Sequence, residues 1–279
     1  MRVQSVLRQC LGVSNTAVKS AKWDGRITLD GQIAAVNALV HAGQTLAIAF
    51  RDNQPVYQLK PYNLPLNIVY EDDHLYVIDK IAPLASQSGV QHPDDSLENA
   101  LFAHLGCPAD FVYRPVNRLD KGTSGLMVVA KDAYIQHRLQ TLLHTPDFVR
   151  TYQAVVEGHP PEDEGTVNAP IAKENAASIR RVILPDGKPS ITHYRVLSRG
   201  KARSLLELTL ETGRTHQIRV HMAYLGCPIA GDFLYGTELP ELPERFALHS
   251  AGISLTHPLT GEHLSLTSPL PDELTRLLD

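Results

Sequence analysis

Arg114-Pro-Val-Asn-Arg-Leu-Asp-Lys-Gly-Thr-Ser-Gly125, followed at once by Leu126-Met-Val-Val-Ala130, is the stretch around which the chain is organised. The second part is an apolar run with the length of a buried strand. The first part places one acid, Asp120, just before a Gly-Thr-Ser-Gly turn that leads into this strand. A side chain held between a turn and a buried strand keeps a fixed position, as catalysis requires. Asp120 is therefore the first candidate for a catalytic carboxylate.

Short apolar runs on both sides of this stretch predict further strands, with a few helices between them. Several strands follow one another without an intervening helix. We therefore predict an α+β fold with a mainly antiparallel mixed sheet, rather than a doubly wound nucleotide-binding fold. The predicted strands cover residues 75–79, 126–130, 150–157, 192–197, 205–210 and 247–255. The predicted helices cover residues 97–105, 133–143 and 215–224.

Arg214-Thr-His-Gln-Ile-Arg-Val-His221 is the second dense polar cluster. Thr215 is predicted to cap a helix here, which puts His216 and Arg219 on one face. An arginine on that face suits a buried carboxylate, because its charge opposes the rise in carboxyl pKa that desolvation causes. We expect Arg219 to pair with Asp120, and the alternative is a structural ion pair elsewhere.

Tyr152 lies in the run Thr151-Tyr-Gln-Ala-Val-Val156, which predicts a strand. Its side chain should point opposite to those of its neighbours. A tyrosine at such a position either packs in the core or presents its ring face to a base. From the pattern alone, core packing is favoured.

Three other chemistries have weaker support. His216 and His221 are five residues apart, not at the i, i+4 spacing of two metal ligands on a helix, so no metal site is expected. The Gly122-Thr-Ser-Gly125 turn offers a serine without the nucleophile elbow or a nearby base. A glycosidase needs a second carboxylate near Asp120. The acids of Glu71-Asp-Asp73 would supply one, or else form a solvated turn.

Length and composition bound the class of protein. The 279 residues are 43% apolar and 20% charged, which suits one large domain with a small one. No apolar run approaches the roughly 20 residues that span a bilayer, and residues 1–10 lack the core of a signal peptide. Three scattered cysteines argue against a disulfide framework and a zinc site. We expect a cytoplasmic monomer that does not associate with membranes.

The N-terminal part has its own character. Residues 1–60 carry seven Lys or Arg and three Asp, a net +4, whereas the remaining residues carry −8. Ser14 is predicted to cap a helix that runs to Trp23, and residues 26–33 read as a hairpin with an Asp-Gly turn. This pattern resembles the S4-like RNA-binding module. We expect a small α+β S4-like domain over residues 1–52, a linker over 53–66 and a catalytic domain over 67–279.

Beyond the linker, the chain closely resembles the RluA-type pseudouridine synthases. The matching blocks run in order from the start of the catalytic domain almost to its end. They are Ile68-Val-Tyr-Glu-Asp-Asp-His-Leu-Tyr-Val-Ile-Asp-Lys80, Asn117-Arg-Leu-Asp-Lys-Gly-Thr-Ser-Gly125, Thr151-Tyr152, Gly213-Arg-Thr-His-Gln-Ile-Arg-Val-His221, Gly231-Asp-Phe-Leu-Tyr-Gly236, Ala247-Leu-His249 and His257-Pro-Leu-Thr-Gly261. The resemblance implies the pseudouridine synthase catalytic fold and the isomerisation of uridine in RNA, without a cofactor or metal.

The resemblance also implies roles for single residues. Asp120 is the catalytic aspartate, Tyr152 the active-site tyrosine that stacks on the target base, and Arg219 the basic partner of Asp120. The predicted RNA contacts are Arg118, Lys19, Lys22, Arg214 and His216. Two positions depart from the family pattern: Asn117 stands where the family usually has His, and Lys80-Ile-Ala-Pro83 replaces Lys-Pro-Ala-Gly.

The expected substrate is a structured RNA, with large-subunit ribosomal RNA favoured over transfer RNA. We expect the target uridine to be flipped out of its stack. The sequence leaves open whether Asp120 attacks the nucleoside covalently or first removes a sugar proton. The alternative from another class is an RNA-binding protein that has lost catalysis, and intact Asp120, Tyr152 and Arg219 argue against it.

Overall fold

A small α+β unit begins the chain in the computed structural model, which describes residues 1–50 and 59–279. Its elements are α1 (Val3–Ser5), a π-helix (Val6–Cys10), α2 (Asn15–Trp23), β1 (Ile27–Leu29), β2 (Gln32–Ile33) and β3 (Leu46–Ile48). Ser14 Oγ accepts a hydrogen bond from the backbone N–H of Ala17 and caps α2, as predicted. Asp30 and Gly31 have φ of 51° and 81°, the positive values that a tight hairpin turn requires.

The remaining chain forms a large mixed sheet flanked by helices. Its elements in chain order are β4 (Asn67–Glu71), β5 (Leu75–Lys80), α3 (Leu97–His104), β6 (Ser124–Ala130), α4 (Ala133–Leu142), β7 (Phe148–Glu157), β8 (Glu164–Asn168), β9 (Ile171–Lys173), β10 (Arg181–Ile183), β11 (Ile191–Arg199), β12 (Arg203–Leu210), α5 (Gln217–Tyr224), β13 (Leu248–Thr256), β14 (His263–Thr267), α6 (Asp272–Thr275) and a 3₁₀ turn (Arg276–Leu278). The strand order is β4-β5-β6-β13-β7-β12-β11-β8, with β14 also paired to β13. A separate hairpin joins β9 and β10.

Strand β6 is buried on both faces. Its alternate residues enter two different cores: Met127 packs in the layer beneath α3 and α5, and Val128 packs in the layer beneath α4. This arrangement explains why the sequence of β6 is a continuous apolar run rather than an alternating one. The predicted α+β class with a mainly antiparallel mixed sheet is confirmed, and every predicted strand and helix of the large sheet is present.

The start of β6 lies against β13 in a parallel pairing, with Ser124 opposite His249 and Gly125 opposite Ser250. All other neighbouring strands of the described sheet are antiparallel. Gly125 has φ of 104°, and a Cβ there would lie 2.3 Å from the carbonyl oxygen of Ser250. The glycine that ends the Gly-Thr-Ser-Gly turn therefore allows two strands to meet where no larger residue fits.

The N-terminal unit contacts the rest of the molecule through α4. The hydroxyl of Tyr134 donates to the carbonyl of Leu11, and Arg138 Nη1 donates to the same oxygen at 3.0 Å. The rings of Phe50 and Tyr134 stack with centroids 5.5 Å apart. Residues 53–58 of the predicted linker, 53–66, lie outside the described residues. Residues 59–66 contact α3, where the backbone N–H of Tyr62 donates to the carbonyl of Asn99.

The helices in residues 1–50 and 59–279 all fall short of the length and apolarity that a bilayer crossing needs.

Candidate active site

Asp120 lies on the turn that enters β6, with its side chain 30% exposed. Its carbonyl accepts a hydrogen bond from the backbone N–H of Thr123 at 3.0 Å, which closes the turn. The preceding residue, Leu119, is fixed from both sides by Ser86. Ser86 Oγ accepts from the N–H of Leu119 at 3.1 Å and donates to its carbonyl at 2.6 Å. The acid is thus presented by a backbone that is held before and after it.

The side chain of Lys80 packs beside this turn and is almost completely buried. It donates to the carbonyls of Leu84 at 2.8 Å, Ile81 at 3.1 Å and Lys121 at 3.5 Å. Burial lowers the pKa of Lys80 to about 7, the charge of Asp120 raises it and that of Arg245 lowers it further. This lysine ties the loop after β5 to the loop that carries Asp120.

Arg219 joins two carboxylates from the first turn of α5. Its Nε and Nη2 bind the two oxygens of Asp232 at 2.7 and 2.8 Å, and its Nη1 donates to Asp120 Oδ2 at 3.3 Å. Asp232 is fully buried, and its Oδ1 also accepts from the backbone N–H groups of Leu234 and Tyr235. The predicted pairing of Arg219 with Asp120 is present. The bidentate bond to Asp232 fixes the guanidinium that approaches Asp120.

Aromatic rings surround the same guanidinium. The Arg219 Cζ atom lies 4.0 Å from the ring centre of Phe246, 5.1 Å from Tyr235 and 5.7 Å from Phe233. Burial opposes the charge of Arg219, but its hydrogen bonds to Asp232 and the charges of Asp232 and Asp120 together raise its pKa above the usual value. The cation is therefore permanently charged in an apolar cage.

His216 precedes α5 in the left-handed conformation, with φ of 58° and ψ of 20°. The prediction that Thr215 caps this helix is wrong, since His216 occupies the cap position and no side chain caps the helix end. The side chain of Gln217 instead closes the loop before the helix, because its Oε1 accepts from the N–H of Arg214 at 2.9 Å. His216 and Arg219 still share a face as predicted: His216 Nε2 lies 3.9 Å from Asp120 Oδ2.

Three cavities meet at Asp120. The smallest, about 70 Å³, is lined by the buried ring of Tyr152 and by Leu248. The largest of the three, about 740 Å³, is lined on its apolar side by Phe233 and Phe246. Tyr152 is also part of the core beneath α5. The ring of Tyr152 thus packs in the core, as the pattern favoured, and it lines a cavity that Asp120 also lines. Stacking of this ring on a base stays a prediction.

Arg118 and Arg214 are exposed on the opening in front of Asp120 and Tyr152, where both line a cleft of about 510 Å³. Arg150, which is mostly buried, lines the same cleft. Three guanidinium groups around one opening create a positive surface beside the candidate acid.

Lys19 and Lys22 are exposed on α2 in the N-terminal unit and do not line the cavities at Asp120. The ammonium of Lys22 lies 5.2 Å from the ring centre of Trp23, an indole that is 81% exposed. These two predicted RNA contacts therefore belong to a second surface, separate from the catalytic cleft.

The acids at residues 71–73 do not complete a glycosidase pair. Asp72 Oδ1 accepts from the N–H groups of His74 and Leu75 at 2.7 and 2.8 Å, and Glu71 pairs with Lys131 at 2.8 Å. None of the three acids lines the cavities at Asp120. This segment therefore forms a turn and does not supply a second carboxylate near Asp120.

Ser124 does have a histidine partner that its local sequence does not reveal. Its Oγ lies 2.9 Å from His249 Nδ1 and accepts from Arg245 Nη2 at 2.8 Å. Ser124 is buried, so this group stabilises the start of β6 rather than facing a substrate. His221 is likewise buried: Nε2 donates to the Ala169 carbonyl at 2.9 Å, and Nδ1 lies 2.8 Å from the Thr192 hydroxyl.

The two departures from the family pattern have visible structural roles. Asn117 is buried, and its Oδ1 accepts from the backbone N–H of Val128 at 2.9 Å, which fastens the Asp120 loop to β6. The Lys80-Ile-Ala-Pro83 segment includes a cis bond between Ala82 and Pro83.

Sequence reasoning missed Asp232, Ser86 and Gln217 as residues that position the site. Asp232 lies in the matching block Gly231-Asp-Phe-Leu-Tyr-Gly236, which was the available signal. Ser86 and Gln217 act through long-range hydrogen bonds, to Leu119 and to the backbone across from α5, that no local pattern encodes.

Comparison with known proteins gives consistent matches. Residues 74–224 match the family model described as RNA pseudouridylate synthase. An uncharacterized RNA pseudouridine synthase of Bacillus subtilis is 38% identical over 96% of this chain and 95% of its own length. The ribosomal large subunit pseudouridine synthase D of Xanthomonas campestris is 39% identical over 91% of this chain and 80% of its own length.

Among solved structures, human RNA pseudouridylate synthase domain containing 4 is similar, with a TM-score of 0.60 and 27% identity over 75% of this chain and 92% of that chain. The family model spans Asp120, Tyr152 and Arg219. The chain belongs to the RNA pseudouridylate synthase family, enzymes that isomerise uridine to pseudouridine in RNA.

Proposed function

We propose that this enzyme isomerises uridines of large-subunit ribosomal RNA, with Asp120 as its catalytic carboxylate. The observation that carries the proposal is a partly exposed carboxylate, held by a buried arginine, at the meeting point of three cavities. In the reaction, the bond from uracil N1 to ribose C1′ breaks and a bond from C5 to C1′ forms. The proton leaves C5 and N1 gains one, so no redox partner is needed.

Tyr152 would provide the ring face for the target base. Its side chain is buried against the core and cannot move far, which suits a stacking platform. The small cavity beside it is too confined for a base that remains stacked in a helix, so the target uridine has to leave its stack. Arg219 would keep a positive charge beside Asp120 throughout the reaction.

Arg118 and Arg214 are proposed to contact the RNA backbone at the mouth of the site. They are exposed, lie on the side of Asp120 where the RNA enters, and form bidentate contacts with phosphate more readily than lysines do. His216, predicted from the sequence as an RNA contact, lines the cavities at Asp120, and its Nε2 lies 3.9 Å from Asp120 Oδ2. We assign it a different role below.

The N-terminal unit supports ribosomal RNA as the substrate. We propose that an S4-like module spans residues 1–52 and presents Lys19 and Lys22 to RNA; its helix α2 and the β1–β2 hairpin support this proposal. The relatives named after the large ribosomal subunit match 91% of this chain. We also propose that the enzyme acts as a monomer.

The proposal is tested by mapping pseudouridine in transcribed large-subunit ribosomal RNA after incubation with purified enzyme. The wild type should form pseudouridine at discrete sites, and Asp120→Ala should form none. Glu244→Gln is the matched control, because Glu244 lines the same large cavity as an acid yet pairs with Lys121. This control should keep its activity.

Two results would contradict parts of the proposal. Activity in Asp120→Ala would remove Asp120 from its catalytic role. Modification of transfer RNA alone, with ribosomal RNA untouched by the wild type, would replace the substrate and leave the chemistry intact. Free uracil as the product would indicate hydrolysis of the glycosidic bond instead of isomerisation.

A further inference from the structure

The imidazole of His216 lies between a phenol and the candidate catalytic acid. Its Nδ1 is 2.8 Å from the hydroxyl of Tyr235, and its Nε2 is 3.9 Å from Asp120 Oδ2. The same hydroxyl accepts a hydrogen bond from the backbone N–H of Arg181 at 2.8 Å. A chain of polar groups thus runs from the β9–β10 hairpin through Tyr235 and His216 to the carboxylate.

The position of the imidazole proton follows from the partners. A tyrosine hydroxyl has one hydrogen to donate. With the Arg181 N–H already donating to the oxygen of Tyr235, we assign the hydroxyl hydrogen of Tyr235 to His216 Nδ1, which lies 2.8 Å away. A neutral His216 then has its own proton on Nε2, the nitrogen that faces Asp120, since one ring nitrogen accepts and the other donates.

Both donors that approach Asp120 address the same oxygen. Arg219 Nη1 is 3.3 Å and His216 Nε2 is 3.9 Å from Oδ2. Within the described residues, no hydrogen bond or ion pair reaches Oδ1 of Asp120. The carboxylate is thus held by one oxygen, and its other oxygen is left to face the cavity.

We propose that neutral His216, with its proton fixed on Nε2 by Tyr235, is a positioning residue that holds Oδ2 of Asp120 together with Arg219 and directs Oδ1 to the nucleoside. The proposal rests on the proposed catalytic role of Asp120. The 3.9 Å separation shortens to a hydrogen bond when substrate fills the site, as catalytic contacts commonly tighten only in the bound complex.

The surroundings of His216 favour the neutral ring. Burial lowers its pKa, the charge of Asp120 raises it, Arg219 and Arg181 lower it, and Asp232 raises it. The direction of the net shift is downward. A neutral imidazole donates to Asp120 without neutralising it, whereas an imidazolium would compete with Arg219 for the same oxygen.

The left-handed backbone of His216 allows a test in which two explanations predict opposite rankings. Asparagine tolerates this conformation better than glutamine does. A role for His216 in backbone shape alone therefore predicts that His216→Asn is at least as active as His216→Gln. The side-chain amide nitrogen of glutamine, however, has the reach of Nε2, whereas that of asparagine has the reach of Nδ1. A donor role therefore predicts that glutamine works better.

We expect the single-turnover rate of His216→Gln on transcribed large-subunit ribosomal RNA to exceed that of His216→Asn about tenfold, the effect of one hydrogen bond to a charged group. Thermal unfolding should show His216→Asn to be no less stable, which excludes misfolding as the cause. Equal rates, or a faster His216→Asn, would overturn the proposal. Activity in Asp120→Ala would instead overturn the role of Asp120, so the two failures are distinguishable.

Tyr235→Phe tests the origin of the proton position. We expect it to lower kcat about tenfold with little change in KM, because the ring keeps its place but no longer sets the imidazole proton.

Nitrogen NMR of histidine-labelled full-length protein gives a readout without RNA. The His216 resonances are identified by their absence from the spectrum of His216→Gln. In the wild type at neutral pH they should show that Nε2 is protonated and Nδ1 is not. Protonation at Nδ1 would contradict the assignment.

Discussion

Arg219 binds Asp232 and Asp120 in different ways. Asp232 takes the bidentate, fully buried bond, and Asp120 takes a single longer one while keeping part of its surface open to the cavity. A buried arginine with no partner would cost several kcal/mol of unfolding free energy. Asp232 therefore offsets the cost of burying the cation, and Asp120 keeps its side chain partly exposed to the cavity.

Lys80 should make the stability of the protein depend on pH. Its pKa is lowered from 10.5 to about 7 in the folded protein. Between these values the unfolded chain binds more protons than the folded one, so the free energy of unfolding rises with pH. We expect a rise of about 2 kcal/mol from about pH 7 to about pH 9, measured by urea unfolding against Lys80→Met.

Methionine is one atom shorter than lysine and removes the titrating group, so Lys80→Met should lack this rise. Lys201→Met, at an exposed position, should behave like the wild type. Parallel pH curves for the wild type and Lys80→Met would show that the buried ammonium does not titrate in this range.

At the scale of the elements, the contact between β6 and β13 depends on Gly125. We expect Gly125→Ala to lower the free energy of unfolding by about 3 kcal/mol or more, because it adds a clash with the Ser250 carbonyl to the strain at positive φ. Gly261→Ala is the matched control, with φ of 73° and open space around its Cβ. It should cost about 1 kcal/mol.

Chemical denaturation of both variants separates backbone strain from the clash. If Gly125→Ala and Gly261→Ala were equally destabilised, the close approach of β6 to β13 would not matter for stability. Activity offers a second measurement, since Asp120 lies five residues before Gly125 in the same turn.

The elements differ in how far local sequence predicts them. β6 was predictable because burial on both faces leaves a continuous apolar run, and the Ser14 cap because its hydrogen bond spans three residues. The start of α5 was not: Gln217 closes the preceding loop through bonds to the Ile191 carbonyl and the Thr192 hydroxyl, far away in sequence. The pairing of Asp120 with Arg219 was predictable, but the role of Asp232 was not, because its partner only becomes evident in three dimensions.

At the scale of the whole molecule, Lys19 and Lys22 on helix α2 form a basic surface apart from the arginines that line the cleft at Asp120. We expect the double variant Lys19→Ala with Lys22→Ala to bind transcribed ribosomal RNA more weakly. The slope of log affinity against log salt should become less steep by about 1.5 to 2, as for the loss of two phosphate contacts. The catalytic rate at saturating RNA should be unchanged.

Lys60→Ala with Lys201→Ala is the control for this experiment, since both lysines are exposed and lie outside the N-terminal unit. Equal changes in slope for the two double variants would mean that α2 has no special part in binding. Filter binding over a range of salt concentrations is sufficient to measure both.

The parallel contact of β6 with β13 also sets the order in which the enzyme can mature. Ser124 and His249, which meet across it, are 125 residues apart. When the ribosome has made β6, the strand has β5 on one side and an open edge on the other, and it is apolar on both faces. We therefore expect the nascent chain to need protection from aggregation until β13 emerges. Only then is the turn that bears Asp120 joined to β13, so we expect activity to appear only after β13 has been synthesised.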